Sequence, residues 1–221
     1  MHKPVEAVVF DVGGVLIDWN PLYLYRQLLP SEAAAQRFVQ EVCTSEWNRG
    51  FDEGRPMAEG ITELIERHPE HRDLISAYQL RGPEMLGGAL DGTVEILGEL
   101  RRNKTPLHAI SNWSGETFPI ARQRFPFLSW FEIVVISGDC KIAKPDPRVF
   151  QLFLAEASLE PQFCVFIDDN LDNIAAAGKL GFCTIHFQHP DALRDELVSL
   201  NLLRGSAADG AAADGALGSA P

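Results

Sequence analysis

The sequence predicts an α/β protein, a doubly wound parallel sheet carrying a small α-helical cap. Three observations predict it. Short runs rich in β-branched and aromatic residues alternate with stretches whose apolar positions recur about every 3.6 residues. One long segment breaks that alternation and reads as helical throughout. Three of the strand-like runs end on polar, chemically capable residues, as in open sheets that bind ligands at strand ends.

The elements follow in order. A strand at 5–10 ends on Asp11, and Gly13-Gly14 after it reads as a tight turn needing positive φ. The segment 17–88 is the helical insert, with amphipathic stretches at 31–42 and 57–67 and no good strand between Pro21 and Tyr78. Helix and strand then alternate, with helices at 92–103, 117–125, 147–158, 171–180 and 191–200. The strands between them fall at 107–111, 133–137, 164–168 and 183–187. Repetition of this kind gives a parallel sheet covered on both faces. The expected division is a core at 1–16 and 89–204, a cap at 17–88, and a low-complexity, disordered tail at 205–221 that lacks large apolar groups.

Composition narrows the function. With 221 residues, 46% of them hydrophobic, the chain can bury a sizeable core. Nineteen basic against 31 acidic residues leave a net charge of -12, which repels nucleic acid and anionic membranes. An anionic substrate then needs a local cation. No run of 18 apolar residues occurs and Asp11 interrupts the N-terminal apolar stretch, so the expected location is cytoplasmic. Cys43, Cys140, Cys164 and Cys183 have no C-x-x-C spacing and are expected to be buried free thiols.

The strand ends carry Asp11, Ser111-Asn112 and Asp168-Asp169, with Lys144 in the loop K-I-A-K-P-D. Taken singly, these are also turn formers, an N-cap cluster and a solvated charge. At one edge of one sheet they converge on a crevice. Carboxylates without a nearby histidine or cysteine suit a hard cation, Mg²⁺ above all, and a metal of that kind favours phosphate chemistry. Asp11 is placed to attack phosphorus, Lys144 to offset charge, and Ser111 and Asn112 to donate to phosphoryl oxygens.

Four stretches in this order, F-D-V-G-G-V-L-I-D from Phe10, A-I-S-N-W from Ala109, S-G-D-C-K-I-A-K-P-D-P from Ser137 and V-F-I-D-D-N-L-D-N-I-A-A-A from Val165, resemble the haloacid dehalogenase superfamily. The likeness is to its phosphatase-like branch with a helical cap after the first strand. The resemblance implies a Rossmannoid core and a small phosphorylated substrate. It implies Asp11 as nucleophile and metal ligand, Ser111 as phosphate-binding hydroxyl, Lys144 as the family's lysine and Asp169 as second metal carboxylate, with Asp168 and Asn173 in support. The cap stretch E-W-N-R-G-F-D-E-G-R-P-M from Glu46 is similar to a tryptophan, aspartate and glycine element of relatives, offering Trp47, Asp52 or Arg55 as substrate contacts.

One departure stands out. Phosphatases of the family carry a second aspartate two residues after the nucleophile, as general acid and base; here that position is Gly13, whose carbonyl can still bind Mg²⁺. Glu116, Asp52 and Glu53 are the candidate replacements. A 2-haloacid dehalogenase, using the same aspartate on carbon with Arg26 as an anion partner, and a catalytically weak binding protein of the same fold are the alternatives.

Overall fold

The computed structural model describes residues 5–204, so the expected tail at 205–221 lies outside the described residues. Five parallel strands stand in the order β5-β4-β1-β6-β7: β1 (Ala7–Phe10), β4 (Leu107–Ser111), β5 (Ile133–Ile136), β6 (Cys164–Asp168) and β7 (Cys183–His186). Continuous apolar sequence makes β1 and β6 fully buried strands, the expected signature of a parallel sheet covered on both faces. Alternation inside them feeds two cores: Val8, Phe10, Val165 and Ile167 pack on one face, and Ala7, Val9, Cys164 and Phe166 on the other. Each Val, Ile and Phe among them contributes about 1.5–3 kcal/mol by leaving water.

The chain steps from β1 to β4 and β5 on one side, then crosses to β6 and β7 on the other. The reversal falls between β1 and β6, and ligands in open sheets of this kind bind at that point beyond the strand ends. Six helices flank the strands: α6 (Asp91–Arg102), α7 (Phe118–Arg124), the one-turn α8 (Ser137–Cys140), α9 (Pro147–Ala157), α10 (Leu171–Leu180) and α11 (Pro190–Ser199).

The helical insert contains α1 (Leu22–Leu28), α2 (Glu32–Glu41), α3 (Ser45–Asp52), α4 (Met57–Arg67) and α5 (Arg72–Leu80). Ser31 caps α2 through Ala34 N, and Thr44 caps α3 through Trp47 N at 3.1 Å, satisfying orphan amides where the sequence places hydroxyls. The insert owns a separate apolar cluster around Tyr25, Phe38, Trp47, Leu64 and Tyr78. A feature not foreseen from the sequence is the short antiparallel ribbon of β2 (Ile17–Trp19) and β3 (Leu86–Ala89), which joins the insert to the sheet. Both strands are too short, and β3 too glycine-rich, to announce themselves by periodicity. No helix among the described residues is long and apolar enough to cross a membrane. All four cysteines are free, with Cys43 and Cys164 buried but Cys140 and Cys183 only half-buried, because the latter two sit in loop-side and edge positions.

The paired glycines behave differently from one another. Gly14 has φ +76, the left-handed region that favours glycine, and a Cβ there would push against the Asp169 carboxylate. Gly13 has no positive φ, and a Cβ on it would meet nothing within 4 Å, which corrects the reading of both glycines as turn formers.

Candidate active site

Asp11 stands one residue past β1, at the switch point between β1 and β6. Its Oδ1 accepts from Val12 N at 2.7 Å and lies 3.0 Å from Lys144 Nζ. Lys144 has no exposed side chain: Nζ also meets Asp168 Oδ2 at 2.7 Å and the Ile110 carbonyl at 2.7 Å. Those three partners use all three ammonium hydrogens. In this arrangement Nζ has no hydrogen left for a further acceptor.

Asp168 is fully buried and saturated. It accepts from Lys144, from Asn170 N at 2.8 Å, and from Asn173 Nδ2 at 3.0 Å on each oxygen. Asn112 binds the Lys144 main chain through both ends of its amide, Nδ2 to O at 2.9 Å and Oδ1 from N at 2.8 Å. That clamp holds the lysine loop against the end of β4 and uses one of the two Nδ2 hydrogens. Asp169, by contrast, is exposed. Carboxylate oxygens of Asp11, Asp168 and Asp169 lie within 4.8 Å of one another. Ser111, at the end of β4, is 1% exposed and its Oγ has no hydrogen-bond partner among the described residues.

The electrostatics follow from burial. Desolvation raises the Asp11 pKa, outweighing the pull of Lys144, and the charge of Asp168 adds to the rise. Burial draws Lys144 downward, but Asp11 and Asp168 together outweigh it and its pKa is raised. Asp169 is raised by burial and then by Asp168. Three clustered hard oxygen donors facing one lysine, next to an unpartnered buried hydroxyl, fit a divalent cation with a phosphoryl group beside it.

A cavity of about 330 Å³ opens beyond this cluster, reaching Gly13, Gly14, Asn112 and Asp169 from the sheet side and Asn48, Asp52 and Tyr78 from the insert. Asp52 is hydrogen-bonded by Asn48 Nδ2 at 3.2 Å, and burial, helped by the Glu53 charge, pushes its carboxyl up to about 7. Trp47, expected as a substrate contact, is instead packed inside the insert against Phe51 and Tyr78, with Nε1 donating to the Gly60 carbonyl at 3.2 Å. Its helix turns Asn48, Phe51 and Asp52 toward the cavity. Arg55 pairs with Glu63, and Arg26 is an exposed bidentate partner of Glu32 at 2.6 and 2.7 Å; neither lines the cavity. Sequence reasoning missed Trp19, Met85, Leu86 and Ile120 on the wall, because the ribbon and the turn before β3 that carry most of them were not legible.

A model of the haloacid dehalogenase-like hydrolases matches residues 5–181, and the chain belongs to that family. It is 29% identical over 216 residues to the mouse "Acyl-CoA dehydrogenase family member 10", covering 90% of this chain but only 19% of that protein. It is 23% identical to a "Phosphorylated carbohydrates phosphatase" of Thermotoga maritima, covering 82% of this chain and 84% of the relative. Two (S)-2-haloacid dehalogenases are also among its relatives. The fold matches a haloacid dehalogenase family enzyme of Bacteroides thetaiotaomicron, solved with magnesium and inorganic phosphate, at TM-score 0.63 and 20% identity over 84% of this chain and 95% of that one.

Proposed function

We propose that the chain is a Mg²⁺-dependent phosphatase acting on a small phosphomonoester through an aspartyl-phosphate at Asp11, with 17–88 as the cap over a core of 1–16 and 89–204. The observation that carries this reading is the junction of Asp11, Asp168 and Asp169 with buried Lys144 at the switch point of the sheet. Mg²⁺ would be held by Asp11, Asp169 and the Gly13 carbonyl with Asp168 behind them, and would keep the carboxylates ionised and neutralise charge on the phosphoryl group.

In the first step a carboxylate oxygen of Asp11 attacks phosphorus, the bond from phosphorus to the alcohol oxygen breaks, and that oxygen takes a proton. In the second, water attacks phosphorus, the bond to Asp11 breaks, the water proton returns to the donor, and inorganic phosphate leaves. Ser111 donates its hydroxyl hydrogen to a phosphoryl oxygen, and Lys144 offsets the charge of the assembly.

Asp52 is the proton donor in place of the missing acid. Glu53 is exposed and bound to Arg49 at 2.9 Å, Glu116 accepts from Met57 N at 2.8 Å, and neither lines the cavity. Asp52 does, and with its carboxyl near 7 it is partly protonated at neutral pH. A haloacid substrate would need a cation for its carboxylate, and among the described residues no Lys, Arg or His lines this cavity. Turnover of p-nitrophenyl phosphate with Mg²⁺ and its loss with chelator is the expected result. Turnover indifferent to chelator, or release of halide from 2-chloropropionate in its place, overturns the reading.

A further inference from the structure

We infer that the substrate is the phosphomonoester of an uncharged alcohol with an apolar aliphatic or aromatic body, not a polyol and not a molecule with a second anionic group. The inference rests on the phosphatase reading above and deepens it. Its basis is the chemistry of the cavity wall.

Among the described residues the only charged side chains on the wall are Asp52 and Asp169, both acidic. A second phosphate or a carboxylate would lose water and gain only like charge. The body of the wall is apolar: Phe51, Met57, Met85, Leu86 and Trp113 are buried there. Trp19 and Ile120, on the ribbon and on α7, complete it while 38% and 42% exposed, so two of the few large apolar side chains left in water belong to this one cavity. A ligand body that covers them gains in proportion to the apolar area removed from water.

Most polar groups of the wall are already committed. Asn48 accepts from Tyr78 Oη and donates to Asp52, Trp113 Nε1 donates to Thr117 Oγ1 at 3.0 Å, Ser114 Oγ accepts from Glu116 N at 3.2 Å, and Asn112 bonds the Lys144 main chain through Oδ1 and one Nδ2 hydrogen. Among the described polar side chains of the wall only Gln79 and the Asp169 carboxylate have no such partner, so the hydroxyls of a sugar would be desolvated with few groups to receive them. A volume of about 330 Å³ suits a small body at the lower end of small-molecule sites.

The test uses two unbranched series in the presence of Mg²⁺: methyl, butyl and hexyl phosphonate for binding by calorimetry, and ethyl, butyl and hexyl phosphate for turnover. Alkyl phosphates share nearly one leaving-group pKa, so the series reads burial and not proton donation. Each methylene taken into the wall is worth about fourfold, so hexyl phosphonate is expected to bind at least about 30-fold more tightly than methyl phosphonate. Hexyl phosphate should exceed glucose 6-phosphate in kcat/KM by a similar factor, hexane-1,6-bisphosphate should lose the gain, and Ile120→Arg should flatten both series. Turnover with a flat series, or a preference for glucose 6-phosphate, overturns the substrate assignment alone. A steep phosphonate series with no hydrolysis of any phosphate overturns the phosphatase reading, and the assignment with it.

Discussion

The floor and the wall of the cavity are built on opposite terms. On the floor, Asp11, Lys144, Asp168 and Asn173 are buried side chains bonded to one another, held at the ends of β1 and β6, on the loop before α9 and on the first turn of α10. On the wall, Trp19 and Ile120 stand partly in water and Asp52 is the one titratable carboxyl supplied by the insert. The sheet side holds a closed network of charges, while the insert, the ribbon and α7 together line the apolar wall, from which Asp52 would supply the proton on the proposed reading. Perturbing the floor should abolish chemistry; perturbing the wall should change which substrates react and at what pH.

The largest effect belongs to Asp11. Asp11→Asn is nearly isosteric but neither nucleophilic nor a good Mg²⁺ ligand, so turnover should fall by about four orders of magnitude or more with the melting temperature little changed. Next comes Lys144→Met, which leaves Asp168 buried without its counter-charge. It should cost about 3–5 kcal/mol in denaturant unfolding as well as most of the activity. If stability is unaffected, the ion pair does not organise the floor.

Asp52→Asn should slow alkyl phosphates about hundredfold while sparing p-nitrophenyl phosphate, whose leaving group needs little protonation. Wild-type kcat/KM on alkyl phosphates should fall above pH 7 as Asp52 loses its proton, and the variant should lack that limb. Stability gives an independent reading. A carboxyl raised in the folded state contributes stability fully present below the ordinary carboxylate value and lost as pH rises through about 7. Asp52→Asn should therefore stabilise the protein at pH 8 by about 1–2 kcal/mol and do little at pH 4.

The smallest effect sharpens the boundary between floor and wall. Gly13→Asp should fold as well as wild type, within about 0.5 kcal/mol, because a side chain there meets open space. It should also flatten the dependence of rate on leaving-group pKa by placing an acid on the floor. Gly14→Ala, one residue on, should lose about 1–2 kcal/mol from its positive φ alone, with the Asp169 contact adding to that. Equal melting temperatures for the two would contradict the turn geometry.

The floor was legible in the sequence and the wall largely was not, for a physical reason. β1, β4 and β6 are apolar runs whose ends are punctuated by Asp11, Ser111 and Asp168, so periodicity both finds the strand and marks its mouth. Every helix expected in the core appears within a residue or two of its expected bounds. The ribbon of β2 and β3 has seven residues in two strands and no alternation, and it carries Trp19 and Leu86. Trp47 looked like a site residue because it neighbours Asp52 in the chain; the helical turn of α3 sends it into the insert's own core instead. Polar commitments are equally invisible in sequence, since Asn112 and Lys144 are 32 residues apart.

In the proposed reaction Asp11 carries the phosphoryl group. Rapid acid quench of the wild-type protein turning over p-nitrophenyl phosphate with Mg²⁺, followed by peptide mass spectrometry, tests it directly. The expected result is a transient phosphoryl adduct on Asp11 that forms and decays at rates compatible with kcat and is absent with chelator or in Asp11→Asn. Steady turnover with no adduct at Asp11, or with the adduct on another side chain, would contradict it.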